Sequence, residues 1–553
     1  MTTRLRPFSA VSLLILFLAP AARAQTGPRF EIVVPAALHP AAITGRAYVI
    51  LSRSPSADLR EDFGNPDQPD PFFGQDMAGV AGGKPTVISA ASAGYPLRSL
   101  SELPAGDYWV QALVNVYTRF PRADGHVIWA HMDRWEGQQL NISPGNLYSD
   151  VRRVHLDPAQ GFDVKLFVSH VNPPITIPPD TQWVKHIRIE SRLLTKFWGH
   201  PMYIGATVLL PAGYERHPRE YYPVIYEQGH FSLDPPLSMR MQPGKPGSKW
   251  QQQAYRAFQK WSGPRFPRMI AVSFQHPTPY YDDSYAVNSA NNGPYGDALM
   301  RELIPYIETH FRIIRQPWAR VLTGGSTGGW ESLALQIYHP AFFGGTFTGY
   351  PDPIDFRHYQ LVNIYRNKNA FAPGNSPVDR ERPFLRSDEG QVLETERQES
   401  QLEQALGSNG RSGQQLDAWD SVFDPVGSDG YPQPLWNLQT GKIDPAVAKY
   451  MRDHGYDLRA YLAKHWARIG PQLRGKVFIW VGDMDSYYLN LAVYDMNAFF
   501  RLHPEAHAQF TYGRPKKGHG WTPWTEPQLI QMMARHVAES APAGTDIKGW
   551  YEP

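Results

Sequence analysis

One six-residue run constrains this chain more than any other: Gly324-Gly325-Ser326-Thr327-Gly328-Gly329. It contains G-x-S-x-G centred on Ser326, and its surroundings matter more than the pattern. The β-prone stretch Arg320-Val321-Leu322-Thr323 comes before it. A helical pattern with apolar Leu333, Leu335 and Ile337 follows. A strand, a turn too tight for side chains at Gly324 and Gly328, and then a helix lift the serine oxygen clear of a sheet edge. The oxygen stands at a helix N-terminus, where the dipole favours developing negative charge. Such a turn requires a parallel sheet with crossover helices, and the rest of the sequence must be consistent with one.

From about Trp183 the sequence supplies it. Strands are expected at Ile204–Leu210, Pro223–Glu227, Met269–Phe274, Phe343–Thr348, Lys476–Val481 and Ala508–Tyr512. Met269–Phe274 is apolar throughout, as a strand buried on both faces must be. Between strands, Leu299, Leu303, Ile307 and Phe311 repeat every four residues, predicting a helix over 297–312 that Pro305 could kink. This βαβ alternation predicts an α/β class with a parallel-rich central sheet. Residues 351–475 have weak strand signals and polar helical stretches at Glu394–Ala405, Asp444–Asp453 and Leu458–Ala467. A structureless loop of that length is improbable in a compact domain, so a helical cap insertion over the ligand end of the sheet is expected.

The N-terminal part reads differently. Phe30–Val34, Arg46–Leu51, Asp107–Val114 and Gly161–Val168 are short strand patterns without helices between them, predicting a β-sandwich. Asp62–Gly83 is rich in Pro, Gly and Asp and is expected to be a long loop. Asn172–Pro179 reads as a stiff linker. Ahead of these lies an address. Arg4 and Arg6 are basic, Val11–Ala19 is apolar but too short to span a bilayer, and Ala22-Arg23-Ala24 fits a cleavage site. The expected division is therefore a signal peptide at 1–24, a β-sandwich at 25–180 and an α/β domain at 181–553, with a secreted or periplasmic product.

Composition removes other classes. The chain has no cysteine, which excludes thiol nucleophiles, disulfides and Cys-ligated metal. Its 54 Lys+Arg and 52 Asp+Glu give a formal charge of +2. Arg4, Arg6 and Arg23 leave with the signal segment, which makes the remainder nearly neutral. No phosphate-reading surface follows from that balance, so no nucleic-acid partner is expected. No later stretch is long and apolar enough to be a membrane span.

A serine nucleophile needs a base, and the base needs an orienting acid. On this kind of sheet the chain order is serine, acid, histidine. The strand at 476–481 runs into Gly482-Asp483-Met484-Asp485. Asp485, on the loop beyond the strand, is the expected acid, and Asp483 is the alternative, otherwise a helix cap or loop partner. Of His503, His507, His519 and His536, only His519 sits in a Gly-flanked exposed loop just past a strand, where a proton-shuttling imidazole belongs. The oxyanion would meet the backbone N–H of Thr327 and, past Gln228-Gly229, that of His230, with Phe231 the alternative. Asp352, Asp355 and His358 follow the strand after the serine helix and could bind substrate or a cation, or simply make turn hydrogen bonds. Tyr280-Tyr281 and Tyr487-Tyr488 could line a pocket or pack in the core. No cofactor and no metal are expected.

These motifs together resemble the "putative esterase" family of α/β-hydrolases, which includes esterase D, feruloyl esterases, enterochelin esterases and mycolyltransferases. The resemblance runs from about Trp183 to His536. It rests on Leu210-Pro211-Ala212-Gly213-Tyr214 before Tyr222–Tyr226, on Glu302–Glu308, on the turn at 324–329, on Gly482–Asp485 and on Gly518–Trp521. It implies an α/β-hydrolase fold with Ser326, Asp485 and His519 as a triad acting on a small-molecule or polymer-linked ester through an acyl-enzyme. The N-terminal region looks like the Ig-like domain ahead of enterochelin-esterase-type hydrolases. The usual His-Gly after the oxyanion strand is Gln228-Gly229 here, and 351–475 is longer than a simple member needs. Acyl transfer to a sugar or lipid alcohol, or ligand binding without catalysis, are the rival functions.

Overall fold

The computed structural model describes residues 27–61, 63–64, 70–374 and 380–551. The expected signal peptide at 1–24 lies outside the described residues.

The central element is an eight-stranded mixed sheet. Its strands are β1 (Val184–Glu190), β2 (Tyr203–Leu209), β3 (Val224–Gln228), β4 (Ile270–Gln275), β5 (Arg320–Gly325), β6 (Gly345–Gly349), β7 (Val477–Gly482) and β8 (Gln509–Gly513). The spatial order is β1-β2-β4-β3-β5-β6-β7-β8. β1–β2 and β2–β4 pair antiparallel, and every other pair is parallel. Two apolar layers cover the faces. One packs Ile225, Ala271, Val321 and Phe347 under the helix α1 (Lys249–Trp261) and the C-terminal helix. The other packs Leu333 and Ile337 of α2 (Thr327–Tyr338) against Ile479 and Val481. α2 is buried at every position except its last, polar Glu331, Ser332 and Gln336 included, so it shows no exposed polar face. The helix expected at 297–312 spans Tyr295–His310, with a widened turn at Leu299–Leu303 just before Pro305 that accommodates the missing N–H.

Residues 351–475 form a short hairpin (Pro383–Arg386 with Val392–Thr395) and helices that include α3 (Glu396–Leu406), α4 (Gln415–Phe423) and α5 (Leu458–Ile469). α3 starts with a capping box of Thr395 and Gln398. Leu458 and Leu462 of α5 join the same core as Leu333 and Ile337, so the last part of this stretch lies in the layer beside the sheet.

The N-terminal strands make a three-stranded and an eight-stranded sheet that share one apolar core, with Phe30, Val49, Phe73, Val110 and Leu166 in it. The expected loop at 62–83 is corrected: Phe72–Val80 is a strand, paired with Ile43–Ser52 and with Ala93–Tyr95. Its Pro- and Gly-rich flanks conceal Phe72, Phe73 and Met77, all buried. Gly74 is glycine for packing, because a Cβ there would strike the Ala405 carbonyl. That approach joins the N-terminal strands to α3. Arg46 donates to the Gln404 and Ala405 carbonyls at the end of α3, where a cation meets the negative pole of the helix. Leu402 and Leu406 bury their side chains beside Tyr48 and Phe72, each contributing about 1.5–3 kcal/mol.

Candidate active site

Sheet register assembles the site. Gln228 pairs with Gly324, so Gly229-His230 and Gly325-Ser326 leave the sheet side by side. Gly325 pairs with Gly349, which places Tyr350-Pro351-Asp352 on the other flank of the serine. Gly482 pairs with Gly513, which sets the loops carrying Asp485 and His519 against each other.

Ser326 has φ 59° and ψ −122°, a strained conformation for a side chain that costs roughly 1–3 kcal/mol. The turn leaves no room beside it. A Cβ on Gly324 would strike the Gly328 carbonyl, and one on Gly328 would strike that of Gln228. Tyr285 (φ 58°), Tyr350 (φ 31°) and Gln360 (φ 53°) carry further positive φ values around the same cavity or its walls. Strained non-glycine residues gathered this way characterise functional sites.

His519 and Asp485 meet directly, with Nδ1 to Oδ2 at 2.9 Å. The carboxylate is fully buried, and its other oxygen accepts from the Tyr487 and Leu489 N–H groups. Tyr350 and Tyr487 set their rings edge-on to the imidazole, with centroids 4.9 and 5.0 Å away. The alternative acid, Asp483, points elsewhere, pairing with Arg514 and accepting from Tyr494 Oη. Ser326 and His519 line one cavity of about 440 Å³, within the size range of small-molecule sites. The Ser326 hydroxyl donates to Asp352 Oδ1 at 3.3 Å. Among the described residues no hydrogen bond joins it to His519.

Asp352 is the cavity residue that sequence reasoning undervalued. It is buried, and its Oδ2 accepts from Tyr285 Oη (2.7 Å), Thr327 Oγ1 (3.1 Å) and Trp419 Nε1 (3.3 Å). Burial pushes its carboxyl above the usual range, and the Tyr285 hydrogen bond pulls it back. Its two companions have structural duties. Asp355 accepts from the Arg357 N–H at a helical turn, and His358 pairs with Asp495 at 2.9 Å. The tyrosine pairs split: Tyr281 and Tyr487 line the cavity, whereas Tyr280 is core. Glu394, Glu399, Gln415 and Trp419 of the inserted stretch also line it and carried no sequence signal beyond helical periodicity.

Thr327 is the first residue of α2, so its N–H stays outside the helical ladder. His230 borders the cavity beside Ser326. Its Nδ1 faces Asp282 at 3.1 Å and Asp283 at 3.4 Å. Asp282 foremost raises its pKa well above the ordinary value. Half of the ring stays exposed, so solvent screens this pairing.

Two donor clusters sit behind His230, one of His230, Asp282 and Asp283 and one of His276, Asp283 and Glu331. The second is buried, but the Ser284 N–H donates to His276 Nδ1 at 3.0 Å. That leaves the proton on Nε2, the atom facing Glu331, and an Nε2–H cannot ligate a metal. Burial and the neighbouring Asp283 hold Glu331 well above the carboxylate range.

Residues 201–400 match the family model described as "Putative esterase". A search of the curated proteins gives no match. Similar solved structures include a ferulic acid esterase, at 16% identity and TM-score 0.36, covering 65% of this chain and 98% of that one. Another is a ferulic acid esterase from Anaeromyces mucronatus, at 14% identity and TM-score 0.30, covering 66% and 95%. A third is an S-formylglutathione hydrolase from Staphylococcus aureus, at 13% identity and TM-score 0.31, covering 65% and 98%. The chain thus resembles the "Putative esterase" family over residues 201–400, the segment that carries Ser326 and its turn, and that match supports an esterase built on an α/β sheet.

Proposed function

We propose that the protein is an exported serine esterase in which Ser326, His519 and Asp485 act as a triad. The observation that carries this reading is the 2.9 Å bond from His519 Nδ1 to a buried Asp485, beside a serine in a strained turn on the same cavity. Because Nδ1–H donates to Asp485, Nε2 is left as the base. When an ester enters, the Ser326 hydroxyl turns from Asp352 to His519. Oγ bonds to the carbonyl carbon as its proton passes to Nε2, and the oxyanion meets the N–H groups of Thr327 and His230. Collapse breaks the bond to the alcohol, which leaves with that proton. Water then attacks the acyl-enzyme by the same route and releases the acid.

In this reading residues 25–180 are an Ig-like β-sandwich that braces α3, residues 181–553 are the catalytic domain, and 351–475 is its cap. Export rests on the signal-like segment at 1–24. No helix among the described residues is long and apolar enough to cross a membrane. Ser326→Ala tests the proposal. Hydrolysis of short-chain nitrophenyl esters is expected to fall roughly 10³-fold or more, and labelling by a fluorophosphonate to vanish. Unchanged hydrolysis would overturn it.

A further inference from the structure

The cavity above Ser326 has walls of one sign. Three carboxyl side chains line it, Asp352, Glu394 and Glu399, and among the described residues no lysine or arginine does. All three are at most 5% exposed. The cavity's histidines do not offset them. His519 is bonded to Asp485, and His230 faces Asp282 and Asp283.

Neutral donors orient this wall. Oδ2 of Asp352 accepts from a tyrosine, a threonine and a tryptophan, all neutral donors that orient a carboxylate without cancelling its charge. Glu394 accepts from Tyr95 Oη at 3.2 Å, another neutral donor, supplied by the N-terminal strands. Trp419 and Tyr487 add aromatic faces to the same wall. Carboxylates beside aromatic rings attract a cationic nitrogen and repel an anion.

Distance places that nitrogen along the substrate. Asp352 Oδ1 lies 3.3 Å from Ser326 Oγ. The reacting carbonyl carbon must come within roughly 3–3.5 Å of Oγ. An amine on the carbon next to a carbonyl stands about 2.5 Å from the carbonyl carbon. One pose can therefore set the carbonyl over Oγ and the amine against Oδ1, releasing the serine hydroxyl for His519.

We infer that the site takes esters whose acyl group bears an ammonium on the carbon next to the carbonyl, an aminoacyl-type ester, with Asp352 as the residue that reads the ammonium. Glu394 extends the same preference deeper along the wall. The inference rests on the esterase reading above.

The test compares methyl esters of phenylalanine, phenyllactate, N-acetylphenylalanine and 3-phenylpropanoate at pH 6, where the amine is protonated. The phenylalanine ester is expected to exceed the 3-phenylpropanoate ester in kcat/KM by roughly 10-fold or more, the scale of one charge-assisted hydrogen bond. Asp352→Asn should bring that ratio close to one, whatever it does to absolute rates. Glu394→Gln should lower the ratio by a smaller factor, and keeps the proposal testable if Asp352→Asn does not fold.

An uncharged ester that matches or exceeds phenylalanine's overturns the inference, with preference for phenyllactate identifying a hydroxy-acid site instead. So does an Asp352→Asn ratio equal to wild type. In those cases loss of all hydrolysis in Ser326→Ala leaves the esterase reading standing. If no ester is cleaved, the inference fails, and fluorophosphonate labelling of Ser326 then decides whether the esterase reading fails with it.

Discussion

The sheet and the inserted stretch both bury carboxyl groups, and they do so in opposite ways. Beside the sheet, Glu308 and Asp485 are buried acids with dedicated partners. Glu308 takes two hydrogen bonds from Arg320, at 2.7 and 2.8 Å, and one from Tyr226. Asp485 has His519 and two backbone N–H groups. In the insertion, Glu396, Glu399 and Glu403 recur along α3, and Asp417, Asp420 and Asp424 recur along and just past α4, all of them buried. Burial pushes all six upward: Glu399 to about 8 and Asp420 to about 7, with their acidic neighbours adding to the shift. Those two acids are held by fixed partners, whereas the insertion holds protons near neutral pH. Fixed charge suits a group that must orient a base, and a titrating wall suits a surface whose charge responds to what binds.

The sharpest way to break this contrast is at the fixed charge that serves chemistry. Asp485→Asn should lower kcat on a nitrophenyl ester roughly 10⁴-fold, because the amide favours the wrong imidazole tautomer. The same change at Asp483, which faces Arg514 near the surface, should stay within about threefold, the scale of an exposed ion pair. Equal losses at both positions would erase the distinction between them.

Next in size is a fixed charge that serves stability. Arg320→Met leaves Glu308 buried without its cation and should cost about 3–5 kcal/mol in urea unfolding. A loss under 1 kcal/mol would mean that the sheet tolerates unpaired acids as the insertion does.

The smallest effect belongs to the insertion. Glu399 titrates near 8 in the folded chain and about 4.3 in the unfolded one. Between those values the folded state holds the extra proton, so this group lowers stability as pH rises through the window. Glu399→Gln removes the titration. Its melting temperature relative to wild type should therefore rise by roughly 2–4 °C between pH 5 and pH 8. A constant difference would show that the insertion's acids are ionised throughout.

Much of the site was legible because its chemistry is tied to short local patterns. The turn at 324–329 declares itself through glycines that the close carbonyls of Gly328 and Gln228 demand. Asp485 and His519 each follow a strand end, and parallel strands deliver their ends to one edge. Other parts were not legible. Phe72–Val80 reads as loop from its flanks, because its pairing partners lie elsewhere in the chain. Tyr285 and Trp419 converge on Asp352 from positions 67 residues to either side, and no local pattern encodes that meeting.

Sequence alone therefore pointed to the class of sheet, the tight turn at Ser326 and the strand-end positions of Asp485 and His519, since each depends on backbone geometry over a few residues. Tertiary structure decided which aspartate faces the histidine, that Asp352 stands beside the serine, and that the insertion walls the cavity with carboxyl groups. Those outcomes depend on register between distant strands and on burial, which sets the charge of an acid and is a property of the packed molecule.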